Sequence, residues 1–167
     1  MIDWSKMDMR VSRTELKKAH ERLQALATPL ASLSKKQLQN LPVSEYFLDE
    51  LAQLASISSA AAKNRQIKRV GKLIIEEDRH SLTQALFEIK FTKEQMAKIE
   101  TWYARLQLTD ESTIKQFVKQ FNASEFNSIY QLLLWIEYAK HLGDDELLTE
   151  SMADFESYVK EVAILST

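Results

Sequence analysis

The chain has 167 residues, 45% of them apolar, a formal net charge of −2, no cysteine, two glycines and two prolines. That length allows one domain or two small ones, and the apolar share excludes a disordered tail. So few glycines exclude sandwiches, barrels and doubly wound sheets, whose corners need turn residues. The dominance of Leu, Ala, Glu, Lys and Gln instead predicts an all-α protein. Without cysteine there is no disulfide scaffold, thiol catalysis or Cys-ligated metal. No window approaches the roughly 20 apolar residues of a membrane span, and the first ten residues hold no signal-peptide core. A soluble cytoplasmic protein with no membrane partner is expected.

Ser12 and Glu15 have the capping-box spacing, so a first helix is predicted to start near Arg13, with Leu16, Leu23, Leu26 and Leu30 on its apolar face. Pro29 should kink or end it. Residues 34–40 suit a short helix. After the break at Leu41-Pro42-Val43, Ser44 is a candidate cap for a helix carrying Phe47, Leu48, Leu51, Leu54 and Ala55. A third helix is expected from about Ala60 to Glu77. From His80 a long helical pattern runs through Leu82, Leu86, Ile89, Met96, Ile99, Trp102 and Leu106, with Phe91-Thr92 a possible interruption.

Thr109-Asp110-Glu111 opens the next helix, through Ile114, Phe117, Val118 and Phe121. Residues 125–141 form a helix that Gly143 should stop. The last helix places Leu148, Met152, Phe155, Val159 and Val162 on one side. The resulting organisation is two small helical bundles, residues 1–88 and 89–167, joined by a long helix.

Charge is distributed unevenly. Residues 1–83 hold 14 Lys/Arg against 10 Asp/Glu, whereas residues 84–167 hold 8 against 14. No acid occurs between Leu51 and Ile75, the stretch that contains Lys63, Arg65, Lys68, Arg69 and Lys72. At about 100° per residue, Arg65, Lys68, Arg69 and Lys72 share one face of a helix, and Ile67, Val70 and Ile74 share the opposite one. Such a face suits phosphates of a nucleic acid or another polyanion. The alternative is an ordinary solvated face, although no Glu or Asp is interleaved for i,i+4 pairing. Gly71, at the margin of the apolar side, fits close approach of either RNA or a neighbouring helix.

Catalytic patterns are missing. There is no Gly-rich phosphate loop, nucleophile motif or paired-His zinc motif, so no enzyme, cofactor or metal is expected. Glu77-x-x-His80 resembles half of a carboxylate-bridged di-iron site but lacks its second half. The helix at residues 125–141 is apolar nearly all round. Phe126, Ile129, Leu133 and Ile136 form one stripe, and Leu134, Trp135 and Tyr138 cover another side. Either it is central to its bundle, or it docks a partner or a second copy through the Trp135 face.

Three segments occur in a familiar order. Val11-Ser-Arg-Thr-Glu-Leu-Lys-Lys18, Leu41-Pro42-Val43 and Asn64-Arg-Gln-Ile-Lys-Arg-Val-Gly-Lys-Leu-Ile74, continued by Asp78-Arg-His-Ser-Leu-Thr-Gln-Ala-Leu86, together resemble the dual-action ribosomal maturation protein (DarP) family. The likeness is good over residues 11–90, with the R-Q-x-x-x-x-G-K-L core from Arg65 to Leu73 its most specific part. It implies an elongated, all-helical, two-bundle bacterial protein that is not an enzyme. It also implies association with late precursors of the large (50S) ribosomal subunit, binding to 23S rRNA rather than DNA, and help in maturing the peptidyl transferase centre. Arg65, Gln66, Gly71 and Lys72 carry over as the family-like motif; Ser12, Arg13, Lys17 and Lys18 match its basic first helix. The chain departs from the family at Ile75-Glu76-Glu77, where further Arg is usual, and at Leu132 to Lys140, where the family tends to be basic. The competing role is a helical protein–protein adaptor or homodimer acting through residues 125–141.

Overall fold

The computed structural model describes residues 2–10 and 12–167; Val11, the first residue of the family-like segment, lies outside the described residues. Among them there is no strand. The helices are α1 (Arg13–Ala25), α2 (Ala27–Ala31), α3 (Lys35–Gln39), α4 (Glu45–Ala52), α5 (Ala60–Ile74), α6 (Arg79–Lys90), α7 (Lys93–Glu100), α8 (Trp102–Arg105), α9 (Glu111–Gln120), α10 (Phe126–Leu142) and α11 (Asp145–Leu165). Short 3-10 turns occur at Trp4–Lys6 and Gln53–Ser56. The chain is all-α, and no helix is long and apolar enough to cross a membrane.

Small polar side chains begin most helices, because the first backbone N–H groups have no partner within the helix. Ser12 Oγ accepts from the Glu15 N–H at 3.0 Å, Ser44 Oγ from Phe47 at 3.2 Å and Asp144 from Leu147 at 3.0 Å. Ser34 and Gln37 form a reciprocal capping box ahead of α3. At the other end of α10, Gly143 takes φ +66° and the Asp144 N–H reaches back to the Ala139 carbonyl at 3.2 Å. That left-handed closure is the stop expected of this glycine.

Pro29 acts as anticipated. Lacking an N–H, it cannot donate to the Ala25 carbonyl four residues back, and α1 ends at Ala25 while Leu26 stays right-handed (φ −65°, ψ −18°). The result is a one-residue break at Leu26 between α1 and α2. The stretch expected as one long joining helix is instead three, α6, α7 and α8. Phe91 is extended at φ −115°, ψ 146°, because Thr92 starts a new helix: its hydroxyl accepts from Gln95 N–H while Gln95 Oε1 accepts from Thr92 N–H. The third helix likewise stops at Ile74, short of Glu77, since Asp78 caps α6 and Glu77 turns to accept from Ser44 N–H and Oγ.

The chain divides into two compact units, Lys17–Met96 and Ala97–Thr167 together with the N-terminal segment ending at Leu16. In the first, α5 packs on α2 and α4 over a core that includes Leu26, Leu30, Phe47, Val70 and Ile74, all essentially solvent-free. In the second, α10 packs on α9 and α11, and α8 on α11. Trp102 stands edge-on to Phe117 at 5.2 Å, Phe117 touches Phe121 at 4.7 Å, and the Arg105 guanidinium lies 3.7 Å from the Trp102 ring centroid.

Several facing assignments need correction. Leu16 and Met152 are exposed at 49% and 46%, outside the apolar faces expected to hold them, and Ile67 is only half-buried. The 100° spacing puts Ile67 on the buried side of α5, but it lies one turn nearer the helix start than Val70 and keeps part of its surface exposed. The apolar helix α10 buries Ile129, Leu133, Leu134, Ile136 and Ala139 within its own unit. Its Trp135 and Tyr138 are half-buried, and Trp4 of the N-terminal 3-10 turn stacks on His141 at 5.6 Å and leans on Tyr138 at 5.3 Å. This chain's own N-terminal segment therefore covers part of the Trp135 side.

Ile74→Ala should destabilise the protein by about 2–5 kcal/mol, as expected for a large-to-small change at a solvent-free site. Ile67→Ala should cost less than half as much. Chemical denaturation of the two variants checks the difference, and equal losses would place Ile67 in the core.

Candidate nucleic-acid interface

The basic face is carried by α5, and its neighbours decide which cations are available. On one flank the helix touches α1. A Cβ built on Gly71 would stand 3.0 Å from the Gln24 carbonyl oxygen and 3.1 Å from Gln24 Cα. Any side chain there would force the Gln24 backbone to give by a few tenths of an ångström, so glycine suits this close approach. Gly71 thus serves helix packing, one of the two roles its position allowed.

On the other flank α5 faces α4 across a polar contact. Glu50 is 7% exposed, although it lies on the apolar stripe of α4 between Phe47 and Leu54. Its carboxylate receives Gln66 Nε2 at 2.9 Å and Arg69 Nε at 2.9 Å, and its backbone carbonyl receives Gln66 Nε2 at 2.7 Å. Arg69 also donates from Nη2 to the Tyr46 hydroxyl at 2.8 Å. Donation by Gln66, then by Arg69, holds the Glu50 carboxyl below the ordinary glutamate range, and the same pair holds Arg69 charged.

Arg69 therefore does not stand as a free cation. Its charge is answered by an acid from another helix. Arg65, Lys68 and Lys72 differ: each is exposed, and none has a hydrogen bond or ion pair among the described residues. At about 100° per residue they occupy an arc of about 60°, with a rise of roughly 10 Å from Arg65 to Lys72. That is a stripe of three positive charges with the acid facing the fourth turned inward. Its geometry suits successive backbone phosphates.

The first-helix candidates are placed less uniformly. Lys17 is exposed and faces Glu21 at 3.9 Å, a surface pair that water and salt screen heavily. Lys18 is half-buried and already engaged. Arg13 is exposed but belongs, with the first residues of α1, to the other unit. Glu15 in that unit accepts from Asn127 Nδ2 and Ser128 Oγ, both at 2.8 Å, tying the start of α1 to α10. Among the described residues no three His, Asp or Glu side chains converge in a metal-binding group. Glu77 of the half-motif serves Ser44 instead.

Comparison with known proteins shows what the chain is similar to. The family model for the dual-action ribosomal maturation protein DarP matches residues 9–152. The chain belongs to the DarP family. A DarP protein of Methylobacillus flagellatus is 29% identical over 127 residues, covering 74% of this chain and 70% of the relative. One from Nitrosomonas eutropha is 28% identical over 144 residues, covering 83% and 81%. One from Proteus mirabilis is 36% identical over 80 residues, covering 48% and 42%. No solved structure matches the chain.

Seen on the structure, the DarP-like R-Q-x-x-x-x-G-K-L core divides by direction. Gln66 and Gly71 face protein, and Arg65 and Lys72 face solvent. Sequence reasoning missed Glu50 and Tyr46. A signal for Glu50 was present: a carboxylate inside the stripe Phe47, Leu51, Leu54 needs donors if it is buried.

The linkage has a definite sign. A carboxyl whose pKa is depressed on folding adds stability above its unfolded value, about 4.3 for glutamate, and loses it as pH falls through the lower folded value. Thermal midpoints of wild type should therefore exceed those of Glu50→Gln at pH 7, and the gap should close below about pH 4. A gap independent of pH would mean that Glu50 is not the titrating partner. Gly71→Leu should destabilise by about 1–3 kcal/mol through overpacking against Gln24, in spite of leucine's better helix propensity.

Proposed function

We propose that this protein is a non-enzymatic ribosome maturation factor that binds rRNA phosphates through the stripe Arg65, Lys68 and Lys72 on α5. Membership of the DarP family supports the maturation role, because its members are named as ribosomal maturation proteins. The observation that carries the binding mode is the set of three exposed cations with no acid partner among the described residues. The finer reading follows the family resemblance: a late precursor of the large subunit as partner, 23S rRNA as ligand and maturation of the peptidyl transferase centre as outcome. In this reading Lys17 and Arg13 add to the positive field, and Lys18 and Arg69 act mainly by holding the structure.

The mechanism is positioning. A rigid helical body pinned by Lys/Arg–phosphate contacts excludes wrong rRNA pairings until the region matures. A-form RNA shows a backbone and a shape that such a helix can read without a base-stacking platform. An adaptor role for residues 125–141 has less support, since Trp4 covers part of the face it would use.

Reversing Arg65, Lys68 and Lys72 to Glu should release the protein from large-subunit precursors in gradient sedimentation while leaving its helicity intact. Against an rRNA fragment, wild type should show a log–log salt slope of about 2–3 for three phosphate contacts. Lys68→Ala and Lys72→Ala should each flatten it by about one unit. The double change Glu50→Gln with Arg69→Gln removes none of the three stripe cations, so it should lower affinity by loosening α5 while flattening the slope by less than either lysine change. A folded triple reversal that still co-sediments at moderate salt overturns this binding mode.

A further inference from the structure

The unit built on α10 and α11 holds a second feature, unrelated to the α5 stripe. A notch of about 170 Å³ opens between α8, α10 and α11, with Leu106, Leu133, Ile136 and Phe155 among its walls and the exposed Met152 at its edge. A space of this size and lining accepts an isobutyl or phenyl group. Tyr103 also lines it, and the Tyr103 hydroxyl oxygen is buried with no hydrogen-bond partner. Leaving such a group unmatched is costly, and its burial keeps it out of reach of an outside acceptor.

The charges around the notch specify what would enter it. Between Glu137 and Glu156 the chain carries seven Asp/Glu and a single lysine. That lysine, Lys140, is matched by Glu137 at 3.3 Å, whereas Glu156 on the notch wall has no ion pair among the described residues. Burial, helped by the Glu100 and Glu156 carboxylates, pushes the Tyr103 phenol well above its ordinary pKa, so it stays a neutral donor. An RNA backbone would be repelled by this field, while a cationic peptide would be drawn into it.

We propose that the notch between α8, α10 and α11 docks a basic, extended protein segment. One apolar side chain of that segment fills the space beside Met152, and a flanking Lys or Arg meets Glu156. The occupant is a protein partner, and the inference stands or falls separately from RNA binding by α5.

The test uses the full chain and three labelled probes followed by anisotropy. They are a lysine-rich decapeptide with one central leucine, the same peptide with serine in place of the leucine, and an oligouridylate. The leucine peptide should bind saturably and at least about tenfold more tightly than the serine peptide, the scale of burying one leucine side chain. Met152→Arg and Glu156→Lys should each weaken it by about tenfold, and the triple reversal on α5 should leave it unchanged. Circular dichroism reports whether each variant is folded, and Glu156→Lys serves alone if Met152→Arg is not. Equal binding of the two peptides, indifference to both rim variants, or binding of oligouridylate that Glu156→Lys strengthens overturns the proposal.

Discussion

A carboxylate that leaves water must be met by donors, and the way Glu50 is met fixes how α5 presents its cations. Gln66 and Arg69 both turn toward α4 to satisfy it. On the opposite flank Gly71 brings the backbone of α5 against Gln24. The helix can therefore neither roll nor slide without opening a buried polar contact on one side or a backbone clash on the other. What remains facing solvent is the strip between the two flanks. A rigid strip matters because phosphate contacts gain from cations whose backbone is already ordered before the ligand arrives.

That constraint also divides a run of like charges into two kinds. Five Lys/Arg fall between Leu51 and Ile75 with no acid among them, so in sequence they look equivalent. In space one of them, Arg69, has its charge balanced by Glu50 and its Nη2 fixed on Tyr46. Arg65, Lys68 and Lys72 keep theirs. Local balance decides the field each surface presents, since fields from charges beyond about 10 Å are largely screened at physiological salt. A chain of net charge −2 can carry a locally cationic surface and, around residues 137–156, an acidic one.

The elements were legible where local chemistry decides them. Ser12, Ser44 and Gly143 act as the caps and stop that their types suggest, and Pro29 breaks the ladder at the carbonyl four residues back. Phe91-Thr92 was visible only as a possible break, because the apolar period continues across it; the reciprocal Thr92–Gln95 cap decides the matter. The cation face was legible as an arc of α5, whereas the pairing of Arg69 was not. Its partner is 19 residues earlier on another helix, and no i,i+4 rule reaches that far. Leu16, Met152 and Ile67 show a different limit, for periodicity gives a direction and not the thickness of what covers it. Trp4 over Tyr138 had no signal at all, since a pairing across more than a hundred residues has no local pattern.

The contiguity of the R-Q-x-x-x-x-G-K-L core follows from helix geometry. Arg65 and Lys72 are seven residues apart, which returns them to nearly the same direction after two turns. Gln66 lies about 100° to one side of Arg65, toward α4, and Gly71 about 120° to the other, toward α1. Eight consecutive residues thus contain both anchors of the helix and both ends of its exposed cation stripe. Had the anchors been on a different element from the cations, each could have shifted relative to the other as that element moved. Placing all of them within two turns makes the direction of the cations a property of the same hydrogen bonds and backbone contact that hold the helix in place.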